Sequence, residues 1–202
     1  MVAVIDYDAG NIKSVIKAVE ALGEKTILTR NPKDILNADH VILPGVGYFG
    51  DCMEKLNQYE LIDVIKKLAE DNQPFLGICL GLQLMFDESE ESEGVKGLSL
   101  LKGKIKRIPD CPTLKIPNIG WNSLAYPNKG RLFEGIDEGE YVYFVHSYYL
   151  EAEDPSIVTA TIEYSTLIQA SVEKGNLFAC QFHPEKSSQV GLKILKNFLN
   201  VK

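Results

Sequence analysis

The chain has 202 residues, enough for one domain with a full core and too few for two comfortable ones. With 45% hydrophobic and 24% charged residues it has the balance of a soluble globular protein, and no apolar run nears the ~20 residues a bilayer crossing needs. A formal net charge of −7 would repel a phosphate backbone, so neither nucleic acid nor membrane is expected as a partner.

The opening MVAVIDYDAG lacks a basic start and reads as a strand and a turn, not a signal peptide. Val2–Ile5 is a short continuous apolar run, suited to a strand buried on both faces. After Gly10, residues Ile12, Val15, Ile16, Val19 and Leu22 recur at helical spacing, and Gly23 stops the helix. A second strand is predicted over Lys25–Thr29, and a third over His40–Leu43 that runs into Pro44-Gly45-Val46-Gly47. Helical patterning returns around Asp51–Leu56 and Leu61–Leu68. Pro74 then opens a buried strand, Phe75–Ile78, followed at once by Cys79 and a helical stretch to about Phe86. Strands alternating with helices predict a doubly wound α/β domain with a mostly parallel sheet covered on both faces.

From Lys104 onward the pattern turns β-rich, with runs at Tyr141–Tyr149, Ile157–Ile162, Leu167–Glu173 and Leu177–Phe182. Lys174-Gly175-Asn176 is a hairpin signal between the last two. An amphipathic helix, roughly Val190 to Leu199, closes the chain. The expectation is one α/β domain over residues 1–202 with an antiparallel β extension and no linker. The four cysteines, Cys52, Cys79, Cys111 and Cys180, are scattered without a CxxC pair. That spacing carries no metal signature, and it fits free thiols in a reducing cytoplasm.

Gly77-Ile78-Cys79-Leu80-Gly81 is the most informative stretch. Small residues two before and two after a nucleophile let a strand bend abruptly into a helix and leave the side chain exposed at the bend. Cys79 would then sit at a helix N-terminus, where free N–H groups and the macrodipole favour an anion, and the Leu80 N–H could donate to an oxyanion. A buried structural cysteine between two packing glycines is the competing reading.

A thiolate needs a base, and the chain has three histidines. His40 begins a predicted strand and reads as structural or surface; His146, within Phe144-Val145-His146-Ser147-Tyr148, is a core or site-lining residue. His183 lies in Gln181-Phe182-His183-Pro184-Glu185. Pro184 biases His183 toward an extended conformation, in which residues two apart face the same way. An imidazole beside a carboxylate is the arrangement that orients a catalytic histidine, and a surface pair is the alternative. The Pro44–Phe49 run frees backbone N–H groups to face an anion, which suits an oxyanion hole at Val46 and Gly47. Neither GxGxxG nor GxxxxGK[ST] is present, and no cofactor or metal is called for.

These three stretches, in this order, resemble the triad (class I) glutamine amidotransferases: PGxG, then GxCLGxQ at Gly77–Gln83, then FHPE at Phe182–Glu185. The finer resemblance is to the glutaminase subunits of imidazole glycerol phosphate synthases, carried also by Ile5–Asn11, Gly120-Trp121-Asn122, Phe144–Tyr148 and Lys186-Ser187. Members usually read His-Met before Gly-Trp-Asn, whereas Asn118-Ile119 stands here. The resemblance implies a flavodoxin-like or Rossmann-like sheet with a β extension and a triad of Cys79, His183 and Glu185. It further implies glutamine contacts from Gln83, Glu91, Ser147 and Tyr148. Read from the sequence, Gln83 lies four after Cys79, one turn along the same helix face. Glu91 sits in an acidic loop, Asp87–Glu93, that otherwise reads as solvated.

Nothing in the chain looks able to use the ammonia that such a site would release. The resemblance implies a heterodimer with a (β/α)-barrel cyclase subunit that makes imidazole glycerol phosphate and AICAR-P in histidine biosynthesis. Trp121, Asn122, Tyr143 and Lys186 are the candidates for the partner face, with core packing the alternative for Trp121 and a solvated charge for Lys186. The two glycines around Val46 also suggest a free subunit that is nearly inactive until its partner sets the oxyanion segment. Competing readings are the glutaminase of another amidotransferase, such as pyridoxal-phosphate synthase, a catalytically silent binding subunit, and a cysteine hydrolase of protease-like or γ-glutamyl hydrolase type.

Overall fold

The computed structural model describes all residues, Met1–Lys202. Its first half alternates β1 (Val2–Ile5), α1 (Ile12–Ala21), β2 (Thr26–Thr29), α2 (Pro32–Leu36), β3 (His40–Gly45), α3 (Phe49–Gln58), α4 (Leu61–Glu70), β4 (Phe75–Cys79) and α5 (Leu80–Leu84). The second half carries β5 (Glu88–Ser89), β6 (Gly103–Arg107), β7 (Asn118–Ser123), β8 (Tyr141–His146), β9 (Tyr148–Ala152), β10 (Val158–Tyr164), β11 (Thr166–Lys174), β12 (Leu177–Cys180) and α6 (Ser188–Leu199). No helix is long and apolar enough to cross a membrane.

The main sheet runs β2-β1-β3-β4-β12-β11-β9-β6-β5, with β10 paired to β11. The strands from β2 to β12 are parallel, and β11, β9 and β6 continue the sheet antiparallel. This is the expected parallel sheet with its antiparallel extension. Because the inner parallel strands β1, β3, β4 and β12 are buried on both faces, successive residues feed two separate cores. Ala3, Ile5, Val41, Leu43 and Phe75 pack with α2, α3 and α4. Val2, Ile42, Leu76 and Ile78 pack on the other face with Val15, Ala18 and Val19 of α1 and Ile194, Leu195 and Phe198 of α6.

Several sequence expectations needed correction. Helix α2 has no counterpart in the sequence pattern: Asn31 caps it by accepting from the Lys33 N–H at 2.9 Å and Pro32 fills its first turn, but five residues are too few to show a period. The Tyr141–Tyr149 run is two strands, broken at Ser147, where β8 ends its pairing with β7 and β9 joins the main sheet against β6 and β11. The aromatic, apolar run resumes directly after His146-Ser147, so composition alone does not register the change of partner. Ile157 lies in a 3₁₀ turn ahead of β10. The helix after Cys79 stops at Leu84, short of Phe86.

Candidate active site

The register of the sheet gathers the candidate residues. Gly45 of β3 lies opposite Cys79 of β4, and Cys180 of β12 lies opposite Ile78. Three neighbouring parallel strands therefore end together, delivering the Val46–Gly47 segment, Cys79, and the stretch from Gln181 to Glu185 to one edge. The carboxyl edge of an open α/β sheet is where such folds place their sites.

Cys79 has φ 55° and ψ −109°, a left-handed backbone that a residue with a β-carbon adopts only under strain. The flanking glycines explain how the bend closes. A β-carbon on Gly81 would collide with the Leu43 carbonyl oxygen, and one on Gly77 would come within 2.7 Å of the Gly81 carbonyl. Strand β4 and helix α5 thus press together with no space for side chains. One expectation is corrected here: the Cys79 side chain is not open to solvent but only 7% exposed. Its sulfur lies 4.0 Å from the Val145 carbonyl, so strand β8 covers it.

His183 Nδ1 pairs with Glu185 Oε1 at 2.8 Å, with both side chains almost wholly buried. The pairing is the expected one but its cause differs. Pro184–Lys186 forms a 3₁₀ turn, not a continuous extended segment, and the turn brings the two side chains together. Ser187 fixes that turn by donating to the His183 carbonyl at 2.6 Å and accepting from the Tyr143 N–H at 2.9 Å. His183 Nε2 carries no hydrogen bond within the chain. Burial works against a charge on this ring, but Cys79 and Glu185 outweigh it and raise its pKa to about 9.

The remaining thiols differ among themselves, and hydrogen bonding to Thr113 lowers the pKa of Cys111. Burial pushes Cys52 up to about 11 and Cys180 well above the usual thiol range. All four cysteines are free. Tyr7 donates to the Pro44 carbonyl at 2.6 Å and anchors the strand just ahead of Val46. The Val46 carbonyl is turned toward the Cys52 sulfur at 3.8 Å, so the Gly47 N–H of the same peptide faces the opposite way.

Gln83 is 4% exposed and sits one turn after Cys79, as expected, yet it reaches the sulfur through an intermediary. Its Nε2 donates to Gln181 Oε1 at 3.0 Å and to the Tyr148 carbonyl at 3.3 Å. Gln181 Nε2 in turn lies 3.7 Å from the Cys79 sulfur. Sequence reasoning missed Gln181, although its place two before His183 was the available signal. Glu91 accepts from the Phe49 N–H at 2.8 Å, and its neighbour Ser92 accepts from the Gly50 N–H at 2.9 Å. The acidic loop therefore caps α3 directly after the Pro44–Tyr48 run, and burial, with Asp51 nearby, raises the Glu91 pKa despite that bond. The Glu91 charge is felt at Tyr148, whose hydroxyl pKa is raised by burial first and by Glu91 next. Ser147 lies at the corner between β8 and β9.

His146 is a satisfied interior histidine. Nδ1 meets the Tyr148 carbonyl at 2.8 Å and Nε2 meets Asn118 Nδ2 at 3.3 Å. Burial lowers its pKa to about 4, against the pull of the Tyr148 carbonyl and with the help of the His183 charge. His40 is structural, bonded to the Val201 carbonyl at 3.0 Å and edge-on to Phe198.

The partner-face candidates meet on the β7–β8 hairpin. Trp121 pairs with Tyr143 across it, with ring centroids 5.9 Å apart, and the Lys186 ammonium stands 6.0 Å from the Tyr143 ring. Trp121 is 50% exposed, which removes the core-packing alternative. Ile119 and Tyr141 are exposed with it, while Val142 and Phe144 point inward. Asn122 donates to Asn118 at 3.3 Å on the inward-leaning side.

The fold and the bend at Cys79 define a class. A family model described as class-I glutamine amidotransferase matches residues 3–201, and the chain belongs to that family. Solved structures of similar shape agree on the fold: a glutamine amidotransferase crystal structure superposes with a TM-score of 0.77 at 18% identity, covering 98% of this chain and 97% of that one. PurLQS from Thermotoga maritima gives 0.76 at 22% identity, with the same coverage of 98% and 97%.

Full-length relatives narrow the class. The imidazole glycerol phosphate synthase subunit HisH of Moorella thermoacetica is 50% identical over 98% of this chain and 93% of its own length. The HisH subunit of Methanocaldococcus jannaschii is 47% identical over 100% of both chains. Within the amidotransferases, the chain falls among these glutaminase subunits of imidazole glycerol phosphate synthase.

Proposed function

We propose that the chain releases ammonia from glutamine at Cys79 and passes it to a (β/α)-barrel cyclase subunit, as the glutaminase half of an imidazole glycerol phosphate synthase in histidine biosynthesis. The observation that carries the chemistry is the strained Cys79 bend beside the buried His183–Glu185 pair. The cysteine sulfur, as thiolate, attacks the side-chain carboxamide carbon of glutamine. Backbone N–H groups of Leu80 and of the Val46–Gly47 segment receive the oxyanion that forms. As the carbon–nitrogen bond breaks, His183 Nε2 gives its proton to the leaving nitrogen, so neutral ammonia departs and a thioester remains. Water then adds to the thioester carbon, His183 takes its proton, and glutamate leaves as the thiolate returns. Glu185 holds the imidazole in place and stabilises its charged form.

Glu91, Ser147, Tyr148 and Gln83 line the glutamine side of this site, with the Glu91 carboxylate suited to the substrate ammonium. Asparagine is one methylene shorter, so with its α-groups held its carboxamide would fall short of the sulfur. Trp121, Tyr143 and Lys186 form the face toward the cyclase, with Asn122 behind Trp121 on the inward-leaning side of the same strand. The nucleophile lies under strand β8 while Tyr141 of that strand and Trp121 of β7 are exposed and Tyr143 is half-buried beside Trp121, so one thin hairpin separates the sulfur from the partner. Ammonia that escaped at neutral pH would mostly become unreactive ammonium, which favours a sealed path past this hairpin. The four free thiols fit a cytoplasmic protein.

Glutamate release from glutamine, measured for the chain alone and then with the cyclase and its acceptor, tests the proposal. Strong stimulation by the cyclase, with equal amounts of glutamate and imidazole product, is expected. Glutamate release unchanged by the cyclase would overturn the partner assignment, and none under any condition would overturn the glutaminase.

A further inference from the structure

We infer that Gln181 is the side-chain donor that holds the Cys79 sulfur, and that a hydrogen-bonded chain through Gln83, Tyr148, His146 and Asn118 ties this donor to Asn122 on the partner-facing hairpin. The inference rests on Cys79 being the nucleophile. Gln181 is fully buried, and its Nε2 lies 3.7 Å from the sulfur. An anionic sulfur accepts, so Gln181 must present its amide nitrogen there and its oxygen to Gln83, which donates at 3.0 Å. The other hydrogen on Gln83 Nε2 goes to the Tyr148 carbonyl at 3.3 Å. That carbonyl can only accept, so His146 must meet it with an Nδ1–H, at 2.8 Å. A neutral His146 then offers Nε2 as acceptor to the Asn118 amide at 3.3 Å, and the Asn118 oxygen accepts from Asn122 at 3.3 Å.

Each step fixes the next. With acceptors at the sulfur and at the Tyr148 carbonyl, every amide and the imidazole tautomer have one permitted orientation. Reversing any member leaves two donors or two acceptors face to face in the interior, which is costly there. Asn118 and Asn122 lie on β7, which carries Trp121 between them, so a shift of the hairpin moves the first link of the chain. Gln181, Gln83, His146 and Asn118 are in this sense positioning residues for the thiolate.

The full-length protein can be tested directly. Imidazole ¹⁵N NMR of the native chain should show His146 as the neutral Nδ1–H tautomer; an Nε2–H tautomer would overturn the chain of donors. Alkylation of Cys79 by iodoacetamide, followed by mass spectrometry of its peptide across pH, reads the sulfur, which is also surrounded by His183, Tyr7 and Cys180. Gln181→Leu should slow alkylation at neutral pH about tenfold and move the profile to higher pH, as expected for loss of a bond to a charged group. Asn118→Leu should slow it less, and its effect should shrink when added to Gln181→Leu, since both act through one network. An unchanged profile in Gln181→Leu, or strictly additive effects, would overturn the inference. Should Gln181→Leu not fold, Gln181→Glu, which keeps the shape and turns an acceptor toward the sulfur, must shift the profile the same way. Failure of the glutaminase reading is separable: the native Cys79 would then resist a glutamine-mimicking chloroketone, whatever the Gln181 variants did.

Discussion

His183 holds a proton between a buried carboxylate and a sulfur, and that position sets how the protein responds to pH. A native pKa of about 9 against an ordinary 6.5 means the folded chain binds this proton more tightly than the unfolded chain does. The resulting stabilisation is complete below about pH 6.5 and is lost as pH rises through about 9. The urea midpoint of the native chain is therefore expected to fall across that window, and in Glu185→Gln the fall should flatten, because one source of the raised pKa is gone. In the complex, kcat/KM should decline on an alkaline limb near pH 9, where His183 no longer has a proton for the leaving nitrogen. An alkaline limb unaffected by Glu185→Gln would count against His183 as the acid.

Cys79 shows what the site costs the fold. Its left-handed backbone stores about 1–3 kcal/mol of strain for any residue with a β-carbon. Cys79→Gly should therefore abolish glutaminase activity while leaving thermal stability equal to or above that of the native chain. The same change at the neighbouring buried Ile78 should lower stability by several kcal/mol, on the order of other large core truncations. Scanning calorimetry of the two variants makes the comparison.

At the scale of elements, β3, β4 and α5 meet through backbone. Since a β-carbon on Gly81 has nowhere to go but the Leu43 carbonyl, Gly81→Ala should push α5 off β3 and cost at least the ~1–3 kcal/mol of ordinary overpacking. Urea denaturation gives the cost, and loss of activity should accompany it because Cys79 moves with the helix. The glycine spacing in Gly77–Gly81 makes this bend legible in the sequence; the parallel sheet is legible in the alternation of apolar runs with helical periods, and the His183–Glu185 pairing in their proximity, though a 3₁₀ turn and not an extended segment joins them. What stayed hidden was whatever depends on partners distant in sequence. The place of Gln181 two before His183 was legible, but that its amide meets the Cys79 sulfur follows only from β12 lying beside β4. Glu91 and Ser92 become the cap of α3 only once the acidic loop folds back over it. The break at Ser147 is a change of sheet, and the sequence carries no mark of which strand will lie alongside.

At the scale of the whole molecule, the β7–β8 hairpin faces two ways. Its inner side carries Phe144, packed edge-on to Phe182 at 5.7 Å next to His183, and its outer side carries Trp121, Tyr141 and Ile119. Large apolar side chains gathered on an exposed ribbon, with a lysine beside them, have the make-up of an interface centre. Truncation should separate the two sides. Phe144→Ala should cost about 3–5 kcal/mol of folding stability, the range for an aromatic lost from a core. Trp121→Ala should leave the thermal midpoint of the free chain nearly unchanged, because half of its surface already meets water. The same variant should weaken cyclase binding by about 2 kcal/mol, or roughly thirtyfold in Kd by titration calorimetry, as for a tryptophan at an interface hot spot. Equal Kd values for Trp121→Ala and the native chain would move the partner to another face and remove the thin hairpin as the route for ammonia.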